Sequence, residues 1–209
     1  MIDTPAALYS KLLSDFALSE HVVCDLHKPC NKVTGHRCST ALMHKIIDFD
    51  KVKTEYYRGK SELPKASTDG FTYKGQLYCF VELKGWADFL NFNTDSSTLE
   101  SKIREQAEKY DLGKKLADSM FVCKCVSENE NIFEDATVVF ILVTDIDVSG
   151  DGPREFYADL MSLSETSSKW EDICNRELGD KLLSLPSNIK TYYVKCQKFD
   201  ETISKIADL

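Results

Sequence analysis

Residues 69–84 read DGFTYKGQLYCFVELK. Two strand-like runs, 69–73 and 77–84, flank Lys74-Gly75-Gln76, which is the pattern of a β-hairpin. Side chains alternate along a strand, so Leu77, Cys79, Val81 and Leu83 share one apolar face. Tyr78, Phe80, Glu82 and Lys84 share the other. A carboxylate and an ammonium at the end of such a strand need partners once they are partly buried. Asp69 is the nearest candidate. A turn centred on Lys74-Gly75 pairs Asp69 with Phe80, diagonal to Glu82. A turn centred on Gly75-Gln76 sets Asp69 directly opposite Glu82, with Cβ atoms roughly 5 Å apart. Either two-residue turn gathers Asp69, Glu82 and Lys84 on one face; a three-residue loop without a bulge does not.

Outward from the hairpin, residues 4–20 read as an amphipathic helix, with Leu8, Leu12, Leu13 and Phe16 at helical spacing after Thr4-Pro5. Residues 42–49 suit a strand, and 58–68 a loop containing Gly59 and Pro64. Residues 98–119 suit one helix, with Ser97 and Glu100 as a capping box and Gly113 as a weak point. Residues 137–144, TVVFILVT, read as a central strand buried on both faces. Helices are expected at 155–163 and 170–183, a short strand around Cys123 and Cys125, and a last strand at 191–196. The class is α/β: a mixed central sheet flanked by helices, with a right-handed crossover between the hairpin and the apolar strand.

Two close carboxylates repel unless a cation lies between them, and a hard divalent ion with oxygen ligands meets that need. Such an ion can polarise a phosphate, while Lys84 steadies a water or developing negative charge. Asp69, twelve intervening residues and then Glu82-Leu83-Lys84 resemble the motif of the PD-(D/E)xK nuclease superfamily. The resemblance covers roughly residues 4–144, whose element order is similar to the family's restriction-endonuclease-like core. It departs in one respect: Thr68, not proline, precedes Asp69, and the nearest proline is Pro64. In QAEKY, Gln106 and Tyr110 resemble the QxxxY pattern of the RecB-like branch, and four residues apart they share a helix face. The resemblance implies Mg²⁺ or Mn²⁺ held by Asp69 and Glu82, with Lys84 assisting phosphodiester hydrolysis. It sets Gln106 and Tyr110 beside the metal, and offers Glu20 or Glu55 as a further acidic residue.

A second constellation lies earlier in the chain. Cys24, His27, Cys30, His36 and Cys38 place five soft or borderline ligands within fifteen residues, enough for a tetrahedral Zn²⁺ site. The competing reading is a loop, residues 21–40, of reduced thiols and solvated histidines. Cys79, Cys174 and Cys196 are expected as core thiols. Eight cysteines without a basic-then-apolar leader point to a reducing, cytoplasmic setting.

The chain's 209 residues suit a single domain, with the nuclease-like core followed by an acidic, largely helical C-terminal elaboration at 145–209. At 43% hydrophobic it is too apolar for disorder, and without a long apolar run no membrane span is expected. The net charge of −8 argues at first against nucleic acid. Yet residues 128–180 hold 14 acidic and only 3 basic side chains, leaving the rest of the chain at +3. Residues 51–75, around the candidate site, carry 6 basic and 3 acidic residues. The charge thus does not exclude a phosphate-backbone substrate, and the resemblance implies a metal-dependent nuclease, DNA favoured over RNA, which by fold-level analogy belongs to a defence system or mobile element. The alternatives are an inactive nuclease-fold subunit docking a protein partner or a second copy through its acidic region or Cys/His loop, and a zinc-stabilised binding module.

Overall fold

The structure is a computed structural model that describes residues 2–26, 42–93, 95–148 and 169–206. Its centre is the hairpin. Strand β3 (Gly70–Lys74) pairs antiparallel with β4 (Leu77–Lys84), from Gly70 opposite Val81 to Lys74 opposite Leu77. The turn is therefore Gly75-Gln76, and Gly75 has φ +56°, the backbone that a glycine adopts without strain at the first central position of a II′ turn. Of the two registers open from sequence, this is the one that continues to Asp69 opposite Glu82.

The hairpin sits inside a six-stranded sheet. Edge strand β1 (Glu20–His21) pairs with β2 (Ile46–Asp48), and β2 with β3, all antiparallel. On the other side β5 (Thr137–Thr144) runs parallel to β4 over its whole length, and β6 (Lys190–Lys195) runs parallel to β5. The order is β1-β2-β3-β4-β5-β6. β5 is buried on both sides, as its unbroken β-branched run requires.

The two faces carry separate cores. One includes Phe71, Tyr78, Phe80, Phe140, Leu142 and Tyr193. Against it pack α1 (Pro5–Asp15), α3 (Phe49–Tyr57), α5 (Leu99–Glu108), α6 (Leu112–Ser127) and α7 (Lys169–Leu183), through residues such as Leu8, Val52, Ile103, Leu116 and Leu178. The opposite face, with Cys79, Val81, Val139, Ile141 and Val194, is covered by α2 (Val23–Leu26) and α8 (Phe199–Ile206). The described crossover helices between β4, β5 and β6 thus lie on one face, as two crossovers of the same hand moving the same way across a sheet must.

Several sequence expectations change. The first helix stops at Asp15, with Ala17 at φ +49° turning the chain out. The strand at 42–49 shrinks to Ile46–Asp48, because Asp48 turns from strand residue to helix cap: its carboxylate accepts the Lys51 amide at 3.1 Å and opens α3. The helix at 98–119 is two helices. Asp111 ends the run by capping α6, its Oδ1 accepting the Lys114 amide at 2.9 Å, and Gly113 falls in the first turn of the new helix. The capping box does not form, since both the amide and the hydroxyl of Ser97 donate to Asp95. Cys123 and Cys125 lie on α6 rather than on a strand, with Val122, Cys123 and Val126 forming its buried side. Helices α4 (Ala87–Phe92) and α8 are additional. Among the described residues beyond 145, β6 is part of the sheet and α8 closes its second face. The helix expected at 155–163 lies outside the described residues. Among the described residues, no helix is long and apolar enough to cross a membrane.

Candidate active site

The site forms at the carboxyl ends of the parallel pair β4 and β5. Alternation along β4 sends Tyr78 and Phe80 into the helix-covered core, and Glu82 follows them into it with 0% exposure. Its Oε1 accepts two ammonium groups, Lys84 Nζ at 2.5 Å and Lys115 Nζ at 2.6 Å. Its Oε2 is buried without a hydrogen-bond partner. Burial, and then the charge of Asp69, push the Glu82 carboxyl above its ordinary range, against the pull of the two lysines.

Asp69 stands one residue beyond the last ladder pair, and its Oδ2 accepts the Leu83 amide at 2.6 Å. Its backbone is fixed from two sides. The Phe49 amide donates to the Asp69 carbonyl at 3.0 Å. Residues 66–68 are tied to α6 and α3. The Ala66 amide donates to Asp118 Oδ2 at 3.1 Å, the Thr68 amide to Ser119 Oγ at 2.9 Å, and the Ser67 hydroxyl to Asp50 Oδ1 at 2.5 Å. Proline would not suit the position before Asp69. Thr68 is fully buried and uses its N–H, which proline lacks.

Lys84 is 12% exposed and lies 4.3 Å from the centre of the Tyr110 ring, a cation–π contact added to its ion pair. Gln106 Nε2 donates to Tyr110 Oη at 3.1 Å, and the Trp86 ring stands edge-on to Tyr110 at 6.1 Å. Burial raises the Tyr110 phenol's pKa, and the Gln106 bond opposes this. The structure therefore brings together Asp69, Glu82, Lys84, Gln106 and Tyr110, although Tyr110 lies in the break after α5 rather than on it.

Sequence reasoning missed Lys115 as a site residue. α6 carries Lys115, Asp118 and Ser119 three and four residues apart, so one helix face supplies both Glu82's second cation and the anchors of the Asp69 segment. Desolvation disfavours its charge, but Glu82, Asp69 and Asp50 outweigh that and raise its pKa. Asp50 was missed as well. Desolvation opposes its charge, yet the bonds from Lys53 and Ser67 hold its carboxyl below the ordinary range. The available signal was the acidic residue following a strand-ending Asp48, hidden by reading 42–49 as all strand. At the end of β5, Asp145 Oδ1 accepts the Trp86 and Ala87 amides at 2.7 and 3.1 Å, opening α4, while its Oδ2 and the Thr144 hydroxyl are buried without partners.

Neither further acidic candidate joins the site. Glu20, on the edge strand β1, accepts the Tyr9 hydroxyl at 3.0 Å, and Glu55 pairs with Arg58. Among the described residues no group of three or more His, Cys, Asp or Glu side chains stands ready to hold a metal. Of the zinc candidates, Cys24 is buried in α2, and His27, Cys30, His36 and Cys38 lie outside the described residues. Cys79, Cys174 and Cys196 are buried thiols, and burial raises Cys79 to a pKa of about 12. The chain matches no protein-family model, no curated protein and no solved structure in the three comparisons.

Proposed function

We propose that the chain is a divalent-metal-dependent nuclease with a restriction-endonuclease-like core of the PD-(D/E)xK type, acting on DNA in preference to RNA. One observation carries the reading: Glu82 is a wholly buried carboxylate with one oxygen held by two lysines and the other without a partner, facing Asp69 across the hairpin. A structural ion pair would direct both oxygens to donors. An orphaned carboxylate oxygen beside a second carboxylate supplies the protein's share of the oxygen ligands that a hard cation such as Mg²⁺ or Mn²⁺ takes, with water or phosphate oxygens completing the shell.

Asp69 and Glu82 would hold that ion, and when bound it would supply Lewis-acid stabilisation of charge on a phosphate oxygen. The chain's own groups do the rest. Lys84, confined between Glu82 and the Tyr110 ring, offers a fixed ammonium for a water or for developing negative charge. Gln106 orients the Tyr110 hydroxyl and so acts as a positioning residue. The polyanion preference rests on the excess of cations at residues 51–75, among them Lys60 over the Tyr56 ring and Lys65 over the Phe121 ring.

The test is cleavage of plasmid DNA, linear DNA and RNA of matched length in Mg²⁺ or Mn²⁺ by the wild type, Asp69→Ala and Lys84→Ala. Cleavage by the wild type alone is expected. Equal cleavage by the variants overturns the site.

A further inference from the structure

Lys115 is more than charge balance for a buried glutamate, because Lys84 already provides that on the same oxygen. With both carboxyls ionised, Asp69 and Glu82 balance the two ammonium groups held on Glu82 without any added ion. A divalent cation entering there leaves an excess of two positive charges unless an ammonium withdraws. Lys84 is the less able to move: it is 12% exposed, sits on the same strand as Glu82 and lies over the Tyr110 ring. Lys115 is 26% exposed and reaches Glu82 from another element, α6. The next carboxylate acting on it is Asp50, whose side chain is 57% exposed.

We propose that the Lys115 ammonium, held on Glu82 Oε1, competes by charge with a divalent ion drawn to Glu82 Oε2 and Asp69, so that the ion binds tightly only as Lys115 leaves Glu82. This rests on the nuclease reading of the same site but makes a separate claim about it. The chain carries its own monovalent competitor, which sets a threshold of metal concentration below which Lys115 stays on Glu82. The displaced ammonium, still tethered on α6, then becomes a cation available to a phosphate of the substrate.

The experiment is Mn²⁺ binding by calorimetry to the wild type, Lys115→Met, Lys115→Gln and Glu82→Gln, without nucleic acid. Removing one charge-assisted contact should tighten Mn²⁺ binding by on the order of tenfold in both Lys115 variants. Glu82→Gln should abolish binding. A second readout uses the unaltered chain: the Lys115 ammonium signal in nitrogen-detected magnetic resonance, assigned with Lys115→Arg. It should shift on Mg²⁺ saturation, whereas the Lys84 signal holds its place. Unchanged or weaker Mn²⁺ affinity in the Lys115 variants, or an unmoved Lys115 signal under saturating metal, overturns the competition and leaves the nuclease reading intact. Absence of any Glu82-dependent Mn²⁺ binding in every form overturns both.

Discussion

The two ends of one hairpin treat polar groups in opposite ways. At the turn end, Tyr9, Glu20, His44, Lys45, Thr72, Tyr73, Lys74 and Gly75 line a cleft of about 340 Å³. There the Tyr9 hydroxyl reaches Glu20, and His44 Nε2 donates to Thr72 Oγ1, which in turn donates to the Lys45 carbonyl. Lys45 and its neighbours can face water, so the arrangement resembles an ordinary sheet end. At the far end, a carboxylate is driven to 0% exposure and one of its oxygens is left unmatched. Burying charge that incompletely is costly in a chain selected only for stability. The contrast is one of depth: Asp200 Oδ1 and His21 Nε2 near the turn end also lack partners, but those side chains are only half-buried, whereas Glu82 is wholly enclosed.

The largest expected effect breaks the costly end. Glu82→Ala removes the shared acceptor of Lys84 and Lys115 and should abolish cleavage, a loss of at least about 10³-fold if the carboxylate serves the metal. Two ammonium groups lose their partner, so chemical denaturation should also show a loss of stability. That loss should fall near the low end of the roughly 3–5 kcal/mol typical of broken buried pairs, because both lysines retain some solvent contact. If activity survives, the unfavourable end is structural and the comparison fails. Next in size is Thr68→Pro, which introduces the residue found there in the motif that the hairpin resembles. Because the Thr68 amide is buried and bonded to Ser119, the change should cost roughly 1–3 kcal/mol in urea unfolding, with activity falling as Asp69 loosens. A neutral outcome would show that the segment is held by Ser67 and Ala66 alone.

The same contrast explains what could be read from sequence. The hairpin, the buried strand and the parity of Asp69, Glu82 and Lys84 were legible because period-2 alternation and a Gly-containing turn are local signals. The pairing of Gln106 with Tyr110 was legible for a similar reason, since four residues span about one helical turn. Lys115 was not legible. It meets Glu82 across 33 positions of chain, through a helix whose start is set by Asp111 and was hidden inside what looked like one continuous helix. Asp50 was lost to the same kind of boundary error, where Asp48 ends a strand and caps a helix in a single residue. Both misses trace to cap residues: a short polar side chain resets the backbone, and hydrophobic periodicity does not record it.

That boundary is itself testable. Asp111→Ala removes the cap that begins α6, the helix carrying Lys115, Asp118 and Ser119. The expected cost is about 1 kcal/mol. Cleavage should fall more than so small a destabilisation explains, as the first turn of α6 frays beside Lys115. A cleavage rate unchanged at full folding would show that the site tolerates a loose α6, and that its geometry is held by the hairpin.

The smallest effect belongs to the turn end and concerns protons. Burial holds the His44 ring below its ordinary pKa of 6.5; Asp200 opposes this and Lys74 reinforces it. Asp200 Oδ2 also accepts the Met43 and His44 amides, at 2.6 and 3.2 Å, so the carboxylate steadies the backbone as well as the ring. With its folded pKa depressed, His44 is neutral in the fold while the unfolded chain still takes up a proton. The unfolded state then binds more protons as pH falls through 6.5, and the stability tied to the neutral ring is present above that value and lost below it. Melting temperatures measured from pH 8 down to pH 5 should therefore decline more steeply for the wild type than for His44→Gln. The glutamine amide introduced there can still donate to Thr72 but does not titrate. Parallel curves would mean that His44 protonates in place, with the cleft admitting enough water to carry its charge. The turn end would then be even more relaxed than its hydrogen bonds suggest, widening its difference from the buried carboxylate at the other end of the same two strands.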